Sequence, residues 1–251
     1  MTNSLLTKRN ENQLFHIFDE TLKSQIEELL SLGKSAGADL VEIFLEKSDN
    51  ISLLAEQDDI TNVSPSFGIG AGIRVFLGKK DGFVSTNDLS DEGLLFALNQ
   101  ALRMLGLVIS TNNNKNFDGL EELKDFGESK NEWLINSPNL FESTVKLLDA
   151  TKSLSDKNKI LQVRRASYSR NWQEVLVAAS DGVFARDIRL HQTVGVNVIA
   201  QKDKNRSTSA RRYGSSGNPD DLRNWDIEKS TSELNESAQN MLYAEYVQAG
   251  Q

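Results

Sequence analysis

The sequence predicts an α+β protein, mostly antiparallel β-sheets with packed amphipathic helices. Three observations carry that expectation. Apolar residues recur at three- and four-residue spacing through Leu14, Phe15, Phe18, Leu22, Ile26, Leu29 and Leu30, the stripe of an amphipathic helix. The period then drops to two over Val41, Ile43 and Leu45. Turn signals such as Asp81-Gly82 and Ser180-Asp181-Gly182 separate further segments rich in β-branched and aromatic residues.

The first helix is expected to stop at Gly33 or Gly37. Val41 to Glu46 and Ile51 to Ala55 read as paired strands with a tight turn at Asp49-Asn50, and Ile60 to Val63 as a short strand ending before Ser64-Pro65. Ile69 to Leu77 and Phe83 to Thr86 flank a hairpin over residues 78–82 in which Asp81-Gly82 is the turn signal. Ser90 is the expected N-cap of a second helix, with Asp91 and Glu92 in its first turn and an end at Gly106. A long polar connection runs from Asn112 to about Asn136. Ser137-Pro138 then reads as N-cap plus first helical residue of a helix reaching about Leu154. Residues 160–213 read as antiparallel sheet, and a last helix is expected from about Asp226 to Tyr246.

The 251 residues are 38% apolar and 25% charged, enough for a core without staples. Cysteine is absent, which removes disulfides, thiolate zinc sites and cysteine nucleophiles. His16 and His191 are too far apart for a two-histidine helical zinc motif. Uninterrupted apolar runs reach five residues where a membrane helix needs about 20, and residues 1–13 lack a secretory apolar stretch, so a cytoplasmic protein is expected. The net charge of -8 disfavours direct nucleic-acid binding by the whole molecule. Between Lys159 and Arg212, however, eleven Lys and Arg face four Asp and Glu, a local +7. Either a solvated sheet face or a surface for an acidic partner accounts for it. Arg164, Arg165, Arg211 and Arg212 are the candidate peptide- or partner-binding residues.

Other chemistry-bearing candidates have ordinary readings beside functional ones. Gly68, Gly70 and Gly72 invite a phosphate loop, but the segment continues in strand composition and no Lys-Ser/Thr pair follows, so close packing of a glycine strand is expected. Asp58-Asp59 and Asp220-Asp221 lie in expected turns, where solvated carboxylates are common. His191 is a lone imidazole on a β-rich segment. Ser180 and Ser215-Ser216 lack a nucleophile elbow. Arg211-Arg212-Tyr213-Gly214 combines two cations with an aromatic that could stack on a ligand. No self-sufficient active site is legible from these residues.

Several segments nevertheless carry a family resemblance. They are Lys34-Ser35-Ala36-Gly37-Ala38-Asp39 with Val41-Glu42-Ile43, Ser66 through Val75, Gly82 through Leu89, Glu174 through Gly182, and Tyr243 through Gly250. Together they resemble the TldD/PmbA family, once labelled modulators of DNA gyrase, over about residues 33 to 251. The resemblance implies a TldD-like zinc-dependent peptidase subunit that pairs with a PmbA (TldE)-type subunit, or with itself, to process unfolded peptides in the cytoplasm. It also implies a metal-binding H-E-x-x-x-H helix shortly after the Ala-Gly segment. Nothing here matches that motif, so no catalytic residue or metal ligand is carried over, and zinc is expected of the full-length family member and not of this chain. Residues 1–220 are expected to form the family's amino-terminal α+β domain, and 221–251 a helix and linker toward a carboxy-terminal metallopeptidase domain absent from this chain. The chain alone is therefore expected to be inactive, as an amino-terminal portion lending peptide-cavity and subunit-interface surface. The alternatives are a non-catalytic module binding an acidic protein partner, or a gyrase-associated regulator.

Overall fold

A computed structural model describes residues 20–109, 117–127, 130, 132–157, 160–245 and 250. Its elements are α1 (Glu20–Ser35), β1 (Leu40–Glu56), β2 (Asp59–Leu77), β3 (Lys80–Thr86), α2 (Asp91–Met104), β4 (Lys124–Asp125), α3 (Glu132–Asn136), α4 (Leu140–Lys157), β5 (Leu161–Ala179), β6 (Phe184–Lys202), β7 (Asn205–Ser216) and α5 (Ile227–Tyr243). The fold is α+β, as expected. Strand order is β3-β2-β1-β5-β6-β4, with β7 also pairing β6. Pairing of β2 with β3 and of β6 with β7 is antiparallel, whereas the two-residue β4 runs parallel to β6.

The described residues divide into two units, one drawn from 1–48, 67–131 and 173–189, the other from 49–66, 132–172 and 190–251. In the first, α1 and α2 close over the sheet. Ile26, Leu29 and Leu30 of α1 and Leu94, Leu98, Ala101 and Leu102 of α2 pack with Val41, Ile43, Leu45, Ile73, Val75 and Leu176. The fit is close enough to exclude a Cβ at two glycines. A side chain on Gly82 would stand 2.4 Å from the Ala101 carbonyl oxygen, and one on Gly33 would stand 2.5 Å from Val41. In the second unit, Leu147, Ala150 and Leu154 of α4 and Leu234, Ala238 and Leu242 of α5 bury Leu53, Ala55, Ala166, Tyr168 and the alternating Val194, Val196 and Val198 of β6.

Several local expectations are corrected. Asp49-Asn50 does not turn the chain: β1 is one strand whose inward residues keep a single parity through Val41, Ile43, Leu45, Lys47, Leu53 and Ala55. Asp49 pairs with Arg170 and Asn50 accepts from Asn171, so the polar pair is held within extended backbone. The turn comes instead at Gln57, left-handed at φ 57, whose side chain donates to the Gln162 carbonyl and accepts from Arg164 Nε. Ser64-Pro65 does not end a strand either. Along β2 the partner β3 reaches only residues 71–77, so the proline sits where β2 lacks its β3 neighbour and its missing N–H is tolerated. The β2–β3 turn is Gly78-Lys79, with Gly78 at φ 59, and Asp81-Gly82 lies inside β3, opposite Phe76 and Val75.

The Ser90 cap forms, its hydroxyl accepting from Gly93 N at 3.1 Å. Ser137 does not cap α4, because its hydroxyl donates to the Trp133 carbonyl of α3 at 2.6 Å. Asn139 and Glu142 cap it reciprocally, each side chain accepting from the other's backbone N–H. The long connection thus contains β4 and α3. Residues 163–179 form one continuous strand within β5, and an additional turn at Asp203-Lys204, with Asp203 at φ 56, separates β6 from β7. Expectations about Leu14 to Phe18, the asparagines at 112–114 and 116, and Tyr246 lie outside the described residues.

Candidate functional site

The sequence candidates separate by strand parity. Arg164 has the parity of the inward Ala166 and Tyr168, and its guanidinium reaches Gln57 Oε1 at 2.8 Å, the Thr151 carbonyl of α4 at 3.4 Å and Asp58 at 3.4 Å. Arg165 turns to the other side of β5, where Glu56 accepts from its Nε at 2.7 Å and holds its pKa above the ordinary arginine value. Arg165 shares a shallow cavity of about 310 Å³ with Leu54, Ser167, Gly195, Arg211 and Arg212. Three of the four candidate arginines therefore meet in one groove, and Arg164 serves the β1–β2 turn instead. Part of the local +7 is offset by carboxylates from outside the segment, since Arg164 pairs with Asp58, Arg165 with Glu56, Arg170 with Asp49 and Arg186 with Asp125.

The remaining candidates take mostly structural roles. Gly68 to Gly72 lie in β2 and open no helix; a Cβ on Gly70 would stand 3.0 Å from the Thr86 carbonyl oxygen, the close strand packing expected of them. Ser180 accepts from Val41 N at 3.0 Å. His191 faces Ser216 across the β6–β7 ladder with Nδ1 2.7 Å from its hydroxyl. Asp58 pairs with Arg164, and Asp220 with Arg223 at 2.7 Å. Among the described residues no three His, Asp or Glu gather as a metal site. His191, engaged by Ser216, does not fit one either.

A second cavity of about 310 Å³ was not legible as a unit. It joins Gln192 and Val194 of β6, Tyr213 to Ser215 of β7, Asp221, Asn224 and Trp225 of the following turns, and Asp226, Lys229 and Ser230 at the start of α5. Its frame is fixed by hydrogen bonds. Tyr168 donates to Gln192 Oε1 at 2.9 Å, Gln192 donates to the Asn218 carbonyl, and Trp225 Nε1 donates to Ser230 Oγ at 2.9 Å. Asp226 caps α5 by accepting from Lys229 N at 2.9 Å. Two polar atoms on its lining residues, Ser215 Oγ and Asp221 Oδ2, are buried without a hydrogen-bond partner. Burial pushes the Asp221 carboxyl above the usual aspartate range; a hydrogen bond from Asn218 opposes the rise and the Asp220 charge adds to it.

Such a fold, long mostly antiparallel strands under packed helices with a cation-lined groove and a carboxylate-bearing cavity, defines an α+β module. Two family models match it in order: PmbA/TldA metallopeptidase domain 1 over residues 41–105, and the PmbA/TldA metallopeptidase central domain over residues 135–242. The chain belongs to the PmbA/TldD family. Solved structures with the same fold include a protein described as a modulator of DNA gyrase from Thermotoga maritima, at 16% identity and TM-score 0.69, covering 90% of this chain and 50% of that one. A Bacteroides thetaiotaomicron protein of the same description matches at 14% identity and TM-score 0.69, covering 94% and 53%. TldE from Thermococcus kodakarensis matches at 19% identity and TM-score 0.62, covering 86% and 47%. The chain thus spans about half the length of these proteins. No described helix is long and apolar enough to cross a membrane.

Proposed function

We propose that this chain supplies the first and central domains of a TldD-like, cytoplasmic, zinc-dependent peptidase subunit, lending peptide-cavity and subunit-interface surface to a PmbA/TldE-type partner or to a second copy. The observation that supports this reading is the ordered match to two successive metallopeptidase-family domains within one chain. Zinc, which in such enzymes lowers the pKa of a bound water and polarises the scissile carbonyl, does not fit the described residues. On this reading residues 1–220 act as the family's amino-terminal α+β domain and 221–251 as a helix and linker toward a metallopeptidase domain, and no hydrolytic step is assigned to the described residues.

The test compares the 251-residue chain with a version extended through a family metal helix, each with and without a PmbA-type subunit, on a mixture of unfolded peptides read by mass spectrometry. The short chain should be inert, and the extended one should cleave in a chelator-sensitive way. Cleavage by the short chain that survives chelation would sink the reading.

A second reading, a non-catalytic module for an acidic partner, is favoured by the groove that gathers Arg165, Arg211 and Arg212. Charge reversal at Arg165 and Arg212 should weaken pairing with a partner subunit and flatten its salt dependence. Unchanged pairing would make the groove a solvated face.

A further inference from the structure

We propose that the cavity lined by Tyr213, Ser215, Asp221 and Trp225 is a binding pocket for a primary ammonium group carried by a peptide, either a lysine side chain or the free amino terminus. The proposal deepens the peptide-handling reading and rests on it for the source of the ligand.

The chemistry of the lining selects the ligand. Asp221 Oδ2 and Ser215 Oγ are shielded from solvent and unpartnered, and a buried polar atom left unpaired is costly, so a donor entering the cavity recovers stability already forgone. The donor is a cation because the lining carries two carboxylates, Asp221 and Asp226, against the single Lys229. Asp226 is committed to capping α5, which leaves Asp221, with its unpartnered Oδ2, as the carboxylate open to a ligand. The aromatic residues Tyr213 and Trp225 add faces that attract positive charge.

Geometry also discriminates between cations. A guanidinium is bound best by a carboxylate offering both oxygens in parallel, whereas Asn218 already engages the Asp221 carboxylate. One free oxygen beside a hydroxyl suits the compact, three-donor ammonium. Asp221 ionises reluctantly in its buried setting next to Asp220, and a bound cation would relieve that penalty.

The experiment uses the whole 251-residue chain, without zinc, and four alanine-rich heptapeptides labelled with fluorescein at the carboxy terminus. Three are amino-acetylated, with a central lysine, arginine or norleucine; the fourth has norleucine and a free amino terminus. Binding is read by fluorescence anisotropy. At least one ammonium probe should bind about tenfold or more tightly than capped norleucine, and more tightly than the arginine probe, the scale of one charge-assisted contact. Which of the two does so identifies the source. Asp221→Asn, its fold verified by circular dichroism, should erase the preference, and Ser215→Ala, which leaves the charge in place, should reduce it roughly threefold. Equal binding of all probes to the unaltered chain, no binding of any, or a preference that survives both substitutions would overturn the proposal. Because no cleavage is measured, an ammonium preference in a protein whose extended form never hydrolyses peptides would retain the pocket and discard the peptidase.

Discussion

Both units bury helices against strands, but they do so with different chemistry. The face that α2 buries in the first unit is Gly93, Leu94, Ala97, Leu98, Ala101 and Leu102. The corresponding face of α5 in the second is Ser230, Thr231, Leu234, Asn235, Ala238 and Leu242. Around α5 the polar groups form a seam: Thr231 meets Ser153 at 3.0 Å, Ser207 donates to the Ala238 carbonyl at 3.1 Å, and Tyr168 donates to Gln192. In the first unit Lys47 is buried on β1, and the other buried charges among the described residues meet in one ionic knot, where Arg186 bridges Glu174 and Asp125 at 2.7 Å each. The first interior is largely aliphatic around its ionic knot, whereas the unpartnered buried polar atoms among the described residues all fall in the second unit.

The largest effect should come from untying the knot. Glu174 is fully buried and Arg186 nearly so. Arg186→Met removes the ion-pair partner of that buried carboxylate and should cost about 3–5 kcal/mol in urea unfolding, while Glu174→Leu with Arg186→Met should regain much of the loss. A double variant as unstable as the single one would mean that the knot contributes to stability beyond charge compensation.

The seam should respond to alkali. Burial raises the Tyr168 hydroxyl to about 12 from its ordinary value of 10.0. The unfolded chain releases this proton first, so stability is fully present below the unfolded value of 10.0 and falls as pH rises from there to about 12. Tyr168→Phe should flatten that alkaline slope in urea titrations. An unchanged slope would place the alkaline sensitivity elsewhere.

A smaller and opposite effect is expected at Asn235, which is 5% exposed with both amide atoms unpartnered. Asn235→Leu should be neutral or stabilise by up to about 1 kcal/mol, since an apolar side chain removes two unpaid desolvation penalties. A loss above that size would show that the amide is satisfied in solution. Smallest in contrast are the helix caps: Ser90→Ala and Asp226→Ala should each cost about 1 kcal/mol, seen as lost amide protection confined to α2 and α5 respectively.

The elements most legible in the sequence were those decided locally. The α2 stripe, the Ser90 cap and the Ser180-Asp181-Gly182 turn follow from spacing and side-chain chemistry within a few residues. The errors arose where distant partners overruled local signals. Asp49-Asn50 is a good turn pair in isolation, yet Arg170 and Asn171 hold it extended, and the shared odd parity of Val41 through Ala55 was the available sign. Asp81-Gly82 was displaced from the turn by Gly78, and Gly82 owes its identity to the Ala101 backbone on α2. Among the site residues, adjacency misled: Arg164 and Arg165 are neighbours in sequence and therefore on opposite faces of a strand. Asp221, Ser215 and Tyr213 were each visible as chemistry, but only tertiary packing gathers three separated segments into one cavity.

Strand β7 pairs with β6 alone among the described strands, and its twelve residues carry Arg206, Arg211 and Arg212 with no acidic side chain. A second copy aligned along that edge would bring like charges together, which disfavours edge-to-edge pairing. Concentrated salt, by screening them, is the condition under which solutions of this protein should first turn cloudy.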